Sequence, residues 1–140
     1  TVSGSNTLVY TDGSVKAGTM YTYTVRAYKG SALSAYNKNG SRIVRLTAPV
    51  QYKPSSKASG KLTVRWKKAA GASGYQIQYA ADSRFTKERK TVTVGKQSAT
   101  RYKISGLKNK KTYYVRIRSY KRVGKKVLYS SWSTVKKIRV

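Results

Sequence analysis

The sequence predicts an all-β fold, a seven-stranded antiparallel sandwich repeated in tandem along the chain. Three observations carry this. Apolar and polar residues alternate with period 2 in nearly every patterned segment, turn-forming residues recur between those segments, and the chain matches itself at an offset of 92 residues. No segment carries an apolar stripe at helical spacing.

Taken in order, residues 1–46 hold three strand-like pieces. In the central one, Tyr21, Tyr23, Val25 and Ala27 form the apolar side, and Leu33-Ser-Ala-Tyr36 follows. Pro49 then marks the start of a second module, and 55–60 reads as a turn. Leu62, Val64 and Trp66 alternate with Lys61, Thr63, Arg65 and Lys67, which describes a half-buried strand. After a turn over 69–74, Tyr75, Ile77 and Tyr79 alternate with Gln76 and Gln78. Thr91-Val-Thr-Val94, then Tyr102 and Ile104, give two more strands, separated by a turn over 95–98. Past a turn over 106–111, the segment 113–120 is the longest, with Tyr113, Val115 and Ile117 on one side and Tyr114, Arg116 and Arg118 on the other. Gly124 punctuates a final hairpin.

The repeat aligns Tyr21-Thr-Tyr-Thr-Val-Arg-Ala-Tyr-Lys29 with Tyr113-Tyr-Val-Arg-Ile-Arg-Ser-Tyr-Lys121. Val15 precedes the first as Leu107 precedes the second, and Leu33-Ser-Ala-Tyr36 answers Tyr129-Ser-Ser-Trp132 after a hairpin four residues longer. An offset of 92 is the length of one small sandwich. Residues 47–140 therefore read as a complete module and residues 1–46 as the last three strands of another. The chain begins without Met and reads as a piece of something longer. The join Leu46-Thr-Ala-Pro49 is short, and its Pro restricts the residue before it.

Composition excludes most chemistry. The 140 residues contain 31 Lys plus Arg, 3 Asp plus Glu, no His and no Cys, for a net charge of +28. Thiolate nucleophiles, imidazole bases, disulfides and ordinary zinc sites are absent from the sequence. Asp12, Asp82 and Glu88 are scattered, so neither an enzyme nor a cofactor or metal site is expected. No run approaches the ~18 apolar residues of a membrane span. Residues 1–48 carry +5 and the remainder +23, which makes the complete module the cationic one.

The residues resemble the fibronectin type III family, with its immunoglobulin-like sandwich. Trp66, the Tyr75-Gln-Ile-Gln-Tyr79 strand, and the Gly106-Leu107 to Tyr113 spacing with Tyr113-x-Val115-x-Ile117 stand where that family places its core Trp, third strand and tyrosine corner. The likeness covers 47–140, and it implies that the Tyr113 hydroxyl bonds backbone six or so residues upstream. Ala72-Ser-Gly-Tyr-Gln-Ile77, Phe85 and Tyr129-Ser-Ser-Trp-Ser133 are similar to modules of large secreted or wall-attached proteins of anaerobic, clostridial-type Gram-positive bacteria. An extracellular location is what this resemblance implies. The fold alone does not supply function.

Two candidate binding sets follow. Tyr129-Ser-Ser-Trp-Ser133 resembles the Trp-Ser-x-Trp-Ser box of cytokine receptors, which implies that Arg116 and Arg118, on the side of Tyr114 and Tyr120, stack with Trp132 and Tyr129. Arg26, Tyr28 and Tyr36 repeat a reduced version. Such a ladder serves either as a ligand platform or, on the plainer reading we favour, as a brace for the sheet. The second set is Lys108, Lys110, Lys111, Lys121, Arg122, Lys125 and Lys126, expected in two loops at opposite ends of the sixth strand and suited to polyanions. Specific nucleic-acid recognition is not expected, because Tyr113 belongs to the core and the Gly-aromatic signature of an RNA-binding sheet is missing.

The sequence thus leads to the expectation of a non-catalytic spacer or adhesion module. Its partners would be an anionic wall polymer or acidic glycan, and neighbouring modules of its own chain. The alternatives are a module that binds a host protein and an accessory region of a secreted carbohydrate- or wall-degrading enzyme.

Overall fold

The computed structural model describes residues 1–4, 6 and 9–140. They fall into two compact units, Thr1–Arg45 and Leu46–Val140.

The second unit is a two-sheet antiparallel sandwich. One sheet holds β5 (Ser55–Ala58), β6 (Lys61–Arg65) and β9 (Arg101–Ile104), in the order β5-β6-β9. The other holds β7 (Gly74–Ala80), β8 (Lys90–Val94), β10 (Thr112–Val123), β11 (Lys126–Tyr129) and β12 (Lys136–Arg139). In it β7 lies between β8 and β10, and both β11 and β12 pair with β10. Counting β11 and β12 as one interrupted strand gives seven strands.

Alternation builds the core. Leu62, Val64 and Trp66 from one sheet meet Tyr75, Ile77, Tyr79, Tyr113, Val115 and Ile117 from the other, each no more than 6% exposed. The Trp66 and Tyr75 rings stand 5.2 Å apart. Buried phenols need partners for their hydroxyls, and those of Tyr75 and Tyr113 find backbone. Tyr75 Oη accepts from Ala69 N at 3.0 Å and donates to Gln97 O at 3.1 Å. Tyr113 Oη accepts from Lys108 N at 3.0 Å, five residues upstream, one short of the expected spacing.

One stretch read as a turn is a strand. Residues Ser55–Ala58 pair with β6 as β5, although Ser-Ser-Lys-Ala carries almost no apolar signal. The chain first pairs just beyond the end of β6, at the Gln51–Trp66 bridge, and a register shift follows within β5. Pro54 lies between bridge and strand, and its missing N–H confines it to an edge or an irregularity.

The first unit contains β1 (Met20–Tyr23), β2 (Tyr28–Lys29), β3 (Ala32–Leu33) and β4 (Ser41–Val44). β1 pairs with β4 and β2 with β3. The pairing copies that of the second unit: Tyr21 faces Ile43 as Tyr113 faces Ile138, and Tyr28 faces Leu33 as Tyr120 faces Tyr129. Even the corner recurs, with Tyr21 Oη accepting from Lys16 N at 3.0 Å. Burial does not recur. Val25 is 78% exposed, whereas its counterpart Ile117 is fully buried. A cleft of about 650 Å³, lined by Val9, Tyr10, Val15, Tyr21, Tyr23 and Ile43 among others, occupies the place of a core.

Candidate functional site

On the outer side of the β7-β10 sheet, β10 directs Arg116 and Arg118 away from the core, directly opposite Gln78 and Gln76 of β7. The pairing fixes both guanidinium groups. Arg116 Nε and Nη2 donate to Gln78 Oε1 at 2.9 and 2.6 Å, and Arg118 does the same to Gln76 Oε1 at 2.9 and 2.6 Å. Gln78 is itself held by its Nε2 donating to Thr91 Oγ1 at 3.1 Å.

Rings close over both faces of each guanidinium. Arg116 lies 4.0 Å from the Phe85 centroid and 4.6 Å from Trp132, and Arg118 lies 4.4 Å from Trp132 and 3.8 Å from Tyr129. The stack reads Phe85, Arg116, Trp132, Arg118, Tyr129. Burial first, then the neighbouring charges of Arg118 and Arg89, lowers the Arg116 pKa from its ordinary value. Each contact of this kind contributes about 0.5–1 kcal/mol at an exposed site and more when desolvated. With both faces stacked and one edge bonded, each guanidinium keeps a single edge for solvent or an anion.

Tyr129 ends β11, and the other two rings come from irregular segments. Trp132 sits where the chain leaves β11 before rejoining the sheet as β12. There Ser130 N donates to Ser119 O at 3.0 Å while Ser130 Oγ accepts from Ser119 N at 3.0 Å. Ser133 treats Ile117 in the same way, at 2.8 and 3.0 Å. The two hydroxyls thus stand in for backbone carbonyls. Phe85 comes from the 81–89 loop, which Asp82 organises by accepting from Thr86 N at 2.9 Å and Lys87 N at 2.7 Å. Phe85 adopts a φ of 58° and is 2% exposed. In the first unit the same device appears in miniature, with Arg26 4.5 Å from the Tyr36 centroid and Ser34 bonding Ala27 through both N and Oγ.

Not every aromatic of the expected face joins the stack. Tyr120 has the outward parity, yet it is 3% exposed. Its cross-strand partner is Gly74, and the ring fills the space a side chain would take there, with Tyr129 at 6.3 Å and Arg122 at 5.9 Å. Tyr114 is half-buried, between Ala80 and Lys137 in register. Phe85, Gln76 and Gln78 are the members that sequence reasoning missed.

The second set also needs correction. Lys108, Lys110 and Lys111 precede β10, but Lys121 and Arg122 lie on β10 and Lys126 on β11, because those strands run on to a two-residue turn, Gly124 and Lys125. Lys108 and Lys111 both reach Glu88 Oε1, at 3.1 and 2.8 Å. Lys111 first and then Lys108 hold the Glu88 carboxyl below its ordinary pKa. A third group of cations was overlooked altogether. Lys61, Arg65 and Lys67 with Arg101 and Lys103 are all exposed, on the outer side of the β6-β9 pair. Their alternation with Leu62, Val64 and Trp66 was the available signal.

Two sheets of this order, a buried Trp and Tyr pair, and a corner tyrosine define a small sandwich module. The model of the fibronectin type III domain matches residues 47–136, and the chain belongs to that family. No curated protein matches it. Among solved structures, a β-1,2-glucanase from Parabacteroides distasonis superposes with a TM-score of 0.56 at 17% identity, over 67% of this chain and 12% of that one. The structure of a myokine gives 0.54 at 13% identity, over 67% and 96%. An Fn3-like protein from Clostridium thermocellum gives 0.50 at 15% identity, over 67% and 88%. At these identities the likeness establishes the fold. The chain spans about an eighth of the glucanase's length.

Proposed function

We propose that this chain is a non-catalytic fibronectin type III spacer and adhesion module of an extracellular, secreted or wall-attached bacterial protein, and that its cationic surface holds anionic wall or glycan polymers. The observation that carries the reading is the disposition of the acids. Asp12 is taken up by Ser14 and Tyr23, Asp82 by its own loop, and Glu88 by two lysines, against 31 cations in the sequence. Among the described residues the other cations have no carboxylate partner, so the field is directed outward.

The first unit fits the same reading as the closing strands of a preceding module. Its register and corner repeat those of the second unit, and its half-buried Tyr21 and Tyr23 and exposed Val25 correspond to residues that the β5-β6-β9 sheet covers there. The arginine-aromatic stack is a brace in this account. A host-protein module is the rival reading, favoured by the outward edges of Tyr129 and Trp132. Accessory service to a carbohydrate-active enzyme is a further one, supported by the domain's likeness to part of a glucanase.

The deciding measurement is the affinity of the whole chain for a purified anionic wall polymer and for a neutral glycan, each across a salt series. Binding to the anionic polymer that falls steeply with salt, and no binding to the neutral one, is expected. Salt-insensitive binding to a protein, lost in Trp132→Ala, would replace this reading with the host-protein one.

A further inference from the structure

Building on that reading, we propose that the outer face of the β5-β6-β9 sheet is the docking surface and that its occupant is a linear phosphodiester polymer without bases. The face is made by parity. Leu62, Val64 and Trp66 turn inward, so Lys61, Thr63, Arg65 and Lys67 turn outward, and on β9 Arg101 and Lys103 share that side opposite Arg65 and Thr63. Alternate residues of a strand lie about 7 Å apart. From Lys61 to Lys67 the cations therefore run along about 20 Å of strand, with a second row one strand away.

Arg65 and Arg101 are direct cross-strand partners. Like charges in that position destabilise a sheet. A solvated face of ordinary composition mixes both signs, and here no carboxylate approaches: among the described residues the ion pairs are those of Glu88 with Lys108 and Lys111. An arrangement that costs stability in the free protein and is relieved by an anion is one built for an anion.

The chemistry of the face selects among anions. Its lysines and arginines only donate, so it suits a ligand that mainly accepts. Tyr52, exposed and opposite Arg65 in the register of the Gln51–Trp66 bridge, puts one ring beside the cations. Among the described residues, however, no row of rings alternates with them as on the β7-β10 face, so stacking of successive bases or sugars has little to stand on. A polymer of phosphodiesters on a flexible backbone meets both conditions.

The test uses the whole chain, poly(glycerol phosphate) as probe, and heparin, single-stranded DNA and anionic phospholipid vesicles as competitors. Two double variants are compared, Arg65→Gln with Arg101→Gln, and Lys125→Gln with Lys126→Gln. The first should bind poly(glycerol phosphate) at least tenfold more weakly at low salt, with the salt slope reduced by about two, and the second should change affinity less than twofold. The first should also melt no lower than the parent when free, since a repulsion is removed, while losing the melting shift that the polymer induces in the parent. Equal weakening in both doubles overturns this face and leaves adhesion to anions standing. Tighter binding of heparin, DNA or vesicles overturns the choice of polymer, and no salt-dependent binding of any probe overturns the underlying reading as well.

Discussion

Tyr113 joins two jobs in one side chain: its ring meets Tyr79 at 6.4 Å in the core, and its hydroxyl receives the Lys108 amide. Replacement by Phe keeps the ring and leaves that N–H without its acceptor, so Tyr113→Phe should cost about 1 kcal/mol in denaturant melts. An unchanged midpoint would assign the hydroxyl no part in stability. Residues of this kind were the most legible in the sequence, because alternation and the Leu107-to-Tyr113 spacing both point at them. Tyr120 was less so. Parity places it outward, and only the opposing Gly74, known once register is known, explains why it is buried. Phe85 could not be placed at all from the sequence, since a loop residue at positive φ obeys no period.

At the scale of elements, the break between β11 and β12 is what the arginine-aromatic stack depends on. It brings Trp132 over two guanidiniums, and the Ser130 and Ser133 hydroxyls satisfy the β10 amides that the departing strand would otherwise orphan. Ser133→Ala should leave Ile117 N–H unpaired in the interior and cost about 1–3 kcal/mol, with faster amide exchange at Ile117. Trp132→Ala should cost about 1–2 kcal/mol through two lost cation-π contacts, without that local exchange signature. Identical exchange patterns in the two variants would mean that ring and hydroxyl act as one unit. The serines were visible in the sequence, but the interruption itself was not, because the motif fixes residue types and not hydrogen-bond register. β5 escaped notice for a related reason: an edge strand bearing Ser, Ser and Lys buries too little to print a pattern.

For the molecule as a whole, the absence of His and Cys removes the two side-chain types whose ordinary pKa values lie between about 5 and 9. Hydrogen bonds from Ser14 and Tyr23 lower the Asp12 pKa, those from Lys87 and Thr86 lower that of Asp82, and Lys111 and Lys108 lower that of Glu88. A carboxyl depressed by folding stabilises above its unfolded value and loses that contribution as pH falls through the folded one. At the other end, burial raises the Tyr79 phenol, whose contribution is lost as pH climbs past the unfolded value. Thermal midpoints should therefore be level across the middle range and decline below about pH 4, where the carboxyls protonate. A midpoint that moves between pH 6 and 8 would contradict this assignment.

The interrupted strand has one more effect, on the behaviour of many molecules together. An unpaired sheet edge invites strands of other chains, and proteins rich in β structure must guard against that. Here the outer border of the β10 side is divided into β11 and β12, four residues each, with a bulky ring between them and lysines at Lys126, Lys136 and Lys137. Neither piece is long enough to template another chain, so the same detour that holds Trp132 in place also closes that border to edge-to-edge aggregation.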